Sequence, residues 1–202
     1  MKTFAFALAA LSLAACTGPS PPRTASEAAP AVGEGWSDVI TPEDAIRLGN
    51  RRASWGRALA ATRATAPDLV AAEGALMVPG VGTLAVPPTG TYACRTIKLG
   101  VEGLGGIAYQ PFRCVVFDDG GARWLVKETG SQRQSGRIWP DGTFLGALAL
   151  GEEEGRIAYG SLRDRDIVGV VERLDDGRYR LVQPQPRYES QLDILELVPL
   201  RS

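Results

Sequence analysis

Gly90-Thr91-Tyr92-Ala93-Cys94-Arg95-Thr96-Ile97-Lys98-Leu99-Gly100 opens the part of the chain that decides the fold. From here short alternating runs are separated by turn signals, as in Asp118-Asp119-Gly120-Gly121, Pro140-Asp141-Gly142 and Asp175-Asp176-Gly177. Period-two alternation bounded by Asp-Gly turns is the signature of antiparallel hairpins. The spacing predicts strands at 91–99, 112–117, 122–129, 136–139, 143–150, 156–160, 166–174, 178–183 and 192–199. Strands joined in sequence by tight turns form a meander, and a meander of this length must hide its two edges. Closure into an up-and-down barrel does so. The expectation is a mainly β domain, a closed barrel or strongly curved half-barrel, with a two-sheet sandwich as the alternative.

Working outward toward the N-terminus, Thr41-Pro42-Glu43-Asp44 combines a hydroxyl cap, a first-turn proline and first-turn acids, which together start a helix. Apolar spacing through Leu48, Trp55, Ala58 and Leu59 predicts one helix over about 42–64, with Trp55 anchoring it to the sheet. A second short helix is expected at about 67–73, stopped by Gly74. Leu76 to Pro88 reads as an extended connector. The divisions are therefore 1–15, 16–35, 36–88 (helical segment and connector) and 89–202 (β domain).

The first two divisions carry an address. Lys2 precedes an apolar run from Phe4 to Ala15, which as a helix would span about 18 Å, against about 30 Å for a bilayer. That is a signal-peptide core. It ends in Leu13-Ala14-Ala15-Cys16, which resembles the lipobox of bacterial lipoproteins. The resemblance implies cleavage before Cys16, acylation of that residue and attachment to a lipid bilayer. Thr17, where an aspartate would resemble an inner-membrane retention signal, favours the outer membrane facing the periplasm. Residues 17–35, rich in Pro, Ala, Gly and Ser, read as a flexible tether.

Cys94 and Cys114 remain. An even pair in an oxidising compartment reads as a disulfide. Alternation supports the pairing, since Tyr92, Cys94 and Thr96 share one strand face while Phe112, Cys114 and Val116 share another. No close CxxC pair suggests redox chemistry.

Composition narrows the function. The 202 residues contain 22 Lys+Arg against 23 Asp+Glu and no histidine. The charge balance gives no nucleic-acid footprint, and imidazole-dependent catalysis is excluded. The carboxylates Asp164, Asp166, Glu172, Glu189, Asp193 and Glu196 leave a carboxylate-dependent hydrolase as an alternative, which would need two of them about 5–9.5 Å apart in a cleft. No metal-ligand spacing or phosphate-cradling loop is present, so no cofactor is expected. Three polar blocks stand between the strands: Ser131, Gln132 and Arg133; Arg163, Asp164 and Asp166; Glu172 and Arg173. Curling of the sheet is expected to bring them together. They would then form a salt-bridge network closing the barrel, a pocket for a small anionic ligand, or a surface for another envelope protein. The Gly-rich segment 100–111 with Tyr109 is the candidate arm for a partner's cleft, in the manner of barrels resembling lysozyme inhibitors.

Gly90-x-Tyr92 resembles the opening strand of lipocalin-like barrels. Several blocks resemble the uncharacterised domain-of-unknown-function family 4893: the 90–100 stretch, Lys127-Glu128-Thr129-Gly130-Ser131-Gln132-Arg133, Phe144-Leu145-Gly146, Tyr159-Gly160 with Arg163-Asp164, Gly169-Val170-Val171-Glu172-Arg173, and Glu189-Ser190 through Leu195-Glu196-Leu197-Val198-Pro199. The resemblance covers about residues 36–200. It implies an alphaproteobacterial envelope protein and supplies no activity.

Overall fold

The computed structural model describes residues 35–153 and 155–200. Cys16, the signal segment and the tether lie outside the described residues. Four helices come first: α1 (Trp36–Val39), α2 (Pro42–Gly49), α3 (Arg51–Thr65) and α4 (Pro67–Glu73), followed by a 3-10 turn at Gly74–Met77. Ten strands follow: β1 (Thr83–Leu84), β2 (Gly90–Val101), β3 (Gly105–Ala108), β4 (Phe112–Asp119), β5 (Ala122–Lys127), β6 (Gln132–Ile138), β7 (Thr143–Leu150), β8 (Asp166–Arg173), β9 (Tyr179–Pro184) and β10 (Leu192–Pro199).

Eight of these, β2 and β4 to β10, pair with their antiparallel neighbours in chain order, and β10 returns to β2. The barrel is closed, as the meander predicted, and neither a half-barrel nor a sandwich forms. The short β1 and β3 extend β8 and β2. At Gly120 and Gly121 both φ angles are positive, 58° and 77°, the geometry of the tight hairpin loop that joins β4 to β5.

Alternation places two different sets of side chains on the two faces of the wall. Inside, Tyr92, the Cys94–Cys114 disulfide, Val116, Leu125, Phe144, Leu181, Leu195 and Leu197 belong to one apolar cluster. The disulfide is diagonal: Cys94 pairs with Phe112, and Cys114 with Tyr92. Gly136 and Gly146 face each other across β6 and β7 beneath the Phe144 ring. A Cβ at Gly136 would stand 2.5 Å from Phe144 Cζ, and one at Gly146 2.7 Å. Glycine there makes room for a ring inside a narrow barrel. Outside, Ile97, Leu99, Val168, Val170, Val182, Leu192 and Ile194 meet Trp55, Ala58 and Leu59 of α3. The helices and the barrel therefore share a core.

Three sequence expectations change. The 42–64 helix breaks at Asn50 (φ −82°, ψ 5°), which caps α2 and precedes α3; Gly49-Asn50 is a poor helix pair. The expected 156–160 strand is absent from the described loop. Gly151, Gly155 and Gly160 take φ of 57°, 84° and 86°, and Tyr159 is captured by α2, its hydroxyl donating to Asp44 Oδ2 at 2.7 Å. The 100–111 segment is not a free arm. It folds as the β2–β3 hairpin, and its Gly105 carbonyl accepts from Thr62 Oγ1 at 2.8 Å.

The two ends of the barrel differ. Tight turns at 120–121, 139–142 and 174–178 crowd one end. The expected connector plugs that end: Ala85 and Val86 pack on the interior cluster, and Tyr92 Oη donates to the Pro88 carbonyl at 2.6 Å. Longer loops, 128–131, 151–165 and 185–191, gather at the other end, the mouth. Loops on a rigid scaffold are where binding groups concentrate.

Candidate functional site: the barrel mouth

Period two continues the inward face of β2 past Cys94 to Thr96 and Lys98, and that of β5 past Leu125 to Lys127. Gln132 and Gln134 on β6, Gln183 on β9 and Asp193 on β10 share this face by register. The interior is thus filled and apolar in its lower part and polar at the mouth. A cavity of about 40 Å³ lies there, lined by Thr96, Lys98, Gln132, Gln134, Gln183 and Asp193 from the wall. Arg47, Arg165, Asp166 and Arg187 complete it from the rim. That volume holds about three water-sized molecules, far below the pocket of a barrel built for a large ligand.

Four rim atoms are buried without a hydrogen-bond partner among the described residues: Arg47 Nε, Arg165 Nε, Arg187 Nε and Asp166 Oδ2. Their other polar atoms are engaged. Arg47 Nη1 donates to Asp44 Oδ1 at 2.6 Å and to the Asp166 carbonyl at 3.3 Å. Arg187 pairs with Glu43 and Asp44, Arg165 with Glu153 at 3.2 Å, and Asp166 Oδ1 accepts from Gly160 N at 2.8 Å. Burial, reinforced by nearby Asp44, pushes the Asp166 carboxyl above the usual carboxylate range, opposed by the Gly160 N–H.

Beside this cavity a groove of about 190 Å³ opens where the wall passes from β3 to β4, and it shares Thr96, Lys98 and Gln132 with the cavity. Lys98 Nζ lies 3.3 Å from both Glu189 and Asp193. Burial alone would lower its proton affinity, but the two carboxylates outweigh it and the amine is raised. Lys127 is different. It is 4% exposed, donates to the Gln132 carbonyl at 2.7 Å and sits 4.0 Å from the Phe112 ring centre. No carboxylate is recorded as its ion-pair partner among the described residues. Burial, then Lys98 and Arg133, lower its pKa to about 8.

The three polar blocks converge only in part: Gln132 of the first and Asp166 of the second both line the mouth cavity, and the third stands apart. Ser131 and Gln132 line the groove. Arg133 points out of the barrel and fastens loops, donating to the carbonyls of Gly130 (3.0 Å), Gly151 (2.6 Å) and Glu153. Arg163 and Asp164 lie exposed in a 3-10 turn. Asp166 and Glu172 occupy opposite ends of β8, about 20 Å apart at strand rise; Arg173, beside Glu172, is exposed. Glu172 accepts from Arg180 at 2.6 Å under the helices, so this block is a buried structural pair. The single region expected from curling fails because β8 runs the length of the barrel and separates its ends. The other carboxylates are also committed: Glu196 holds Arg95 and Arg178, and Asp193 holds Lys98 and Ser190 Oγ. Lys98 and Lys127 were the residues missed. The signal was present, because extending the Cys94 and Leu125 faces by one alternation points both lysines inward.

No group of three or more metal-ligating side chains occurs among the described residues, and no helix among them is long and apolar enough to cross a membrane. The family model of DUF4893, a domain of unknown function, matches residues 36–197. No curated protein and no solved structure matches the chain.

Proposed function

The chain belongs to the DUF4893 family, whose name carries no activity, and we propose from its own residues that it is a non-enzymatic envelope module binding a small anionic ligand at the barrel mouth. The closed barrel is consistent with a non-catalytic binding or structural module. The observation that carries the anionic ligand is the set of three guanidinium Nε donors without a hydrogen bond on residues lining the mouth cavity, Arg165 Nε standing 3.7 Å from Asp164 Oδ2. Each unsatisfied buried donor costs about 1–3 kcal/mol, and a carboxylate of acetate size, replacing about three waters, would accept from them. Asp166, with its raised pKa, supplies the complementary donor when protonated. Sodium acetate, compared with chloride at equal ionic strength, is expected to raise the melting temperature with concentration, as binding to the folded state requires. Arg165→Met is expected to remove the effect. Equal behaviour in acetate and chloride would leave the rim as a purely structural network.

The envelope placement rests on the Leu13-to-Cys16 sequence. Cys16 acylated on the outer membrane, with the barrel in the periplasm, predicts acyl mass on Cys16 in membrane-extracted protein and release of Cys16→Ser into the soluble fraction. Wild-type protein recovered soluble and unacylated would overturn it.

A further inference from the structure

The groove beside the cavity contains two lysines in opposite circumstances, and they are the only lysines in the sequence after Lys2. Lys98 is neutralised by Asp193 and Glu189. Lys127 is as deeply buried, lines the same groove, and has a carbonyl and an aromatic ring for neighbours in place of a carboxylate. Holding the Gln132 carbonyl requires only a neutral donor. An ammonium with no counterion among the described residues, next to a second ammonium, is an arrangement that favours release of its proton.

We propose that Lys127 is a carbonyl-capturing amine, forming an imine with a short aldehyde or 2-oxo acid that enters the groove. The proposal rests on the reading of the mouth as a ligand port. In the capture step the Nζ lone pair forms a bond to the carbonyl carbon, and the Nζ proton passes to the carbonyl oxygen to give a carbinolamine. That hydroxyl then takes a second proton and leaves as water while the C=N bond forms. The net change is amine plus carbonyl to imine plus water, reversible, with no oxidant or reductant. Thr96 and Ser131 also line the groove, and Glu189, which is held by Lys98, is the groove's carboxylate from which a proton could be relayed. A carboxylate on the ligand would face Lys98 and the neighbouring cavity. With a pKa of about 8, roughly a quarter of Lys127 is free amine at pH 7.5, against about a thousandth for an ordinary lysine.

The test is reductive trapping: full-length protein incubated with glyoxylate and cyanoborohydride, then mapped by peptide mass spectrometry. Lys127 is expected to be labelled at least tenfold faster than Lys98, with a rate midpoint near pH 8. Lys127→Arg, which keeps the cation, is expected to lose the label. Equal labelling of the two lysines, or none at Lys127, overturns the proposal, and the wild-type measurement alone suffices if the variant fails to fold. Acetate binding without Lys127 labelling rejects capture and keeps the anion cavity. Labelling without acetate binding rejects the anion cavity and keeps capture.

Discussion

Burial of the Lys127 amine links the pH of the solution to the stability of the barrel. In the unfolded chain a lysine titrates near 10.5; in the folded mouth Lys127 titrates at about 8. Between those values the unfolded state binds more protons, so stability rises with pH across the window, and the penalty is fully present below pH 8. Lys127→Met removes the penalty. In urea denaturation the variant is expected to gain on wild type by about 2 kcal/mol more at pH 6.5 than at pH 10, each pKa unit being worth about 1.4 kcal/mol. A difference independent of pH would show that Lys127 is no more buried in the fold than in the coil. Arg180 is the contrasting residue. Fully buried, it divides its guanidinium between Glu172 and the carbonyls of Ala75, Leu76 and Val78, and it lies 4.6 Å from the Trp55 ring centre. That cation is satisfied on every side.

At the scale of elements, β2 is the seam of the molecule. It pairs with β10 from Tyr92 to Leu99, with β4 over its first half and with β3 over its second. The Cys94–Cys114 bond ties β2 to β4 across 20 residues, a loop whose closure is worth about 3 kcal/mol in the chain-entropy model. The double replacement Cys94→Ala/Cys114→Ala is expected to lower unfolding free energy by about that amount with the fold retained, measured by urea titration; an unchanged midpoint would mean the strand pairing alone holds the seam. The barrel was legible because Asp-Gly turns and alternation are local signals, and so was the disulfide, because both cysteines obey the same alternation. The break at Asn50 and the looped 151–165 segment were not. Each depends on what the segment touches, α2 reaching for Tyr159 in the second case, and periodicity contains no information on partners. The candidate site was legible only in part, for a related reason: Ser131, Gln132 and Asp166 line the groove or the cavity, and Arg133, Arg163, Asp164, Glu172 and Arg173 line neither. Clusters adjacent in sequence drew notice, whereas Lys98 and Lys127 are isolated charges in apolar strands, united only by the curl of the sheet.

For the whole molecule, the outer wall formed by β2, β8, β9 and β10 carries a second apolar cluster, covered by the helices together with Leu76, Met77, Ala108 and Tyr159. Among the described residues the helices and the barrel therefore share one core. Trp55, 2% exposed at their interface, is the tryptophan that α3 brings to that contact. Trp55→Ala is expected to cost about 3–5 kcal/mol and to broaden unfolding monitored from helix and sheet together. A loss below about 0.5 kcal/mol would make the helices an appendage.

The plug at the turn end has a directional consequence. Trp36, at the start of α1, donates from Nε1 to Asp141 Oδ2 at 2.7 Å, and Asp141 belongs to a turn at the sealed end. The described chain thus begins at the barrel's base, opposite its opening. The proposed anchor at Cys16 would therefore attach on the side of the sealed base and leave the opening, with its loops, to the solution.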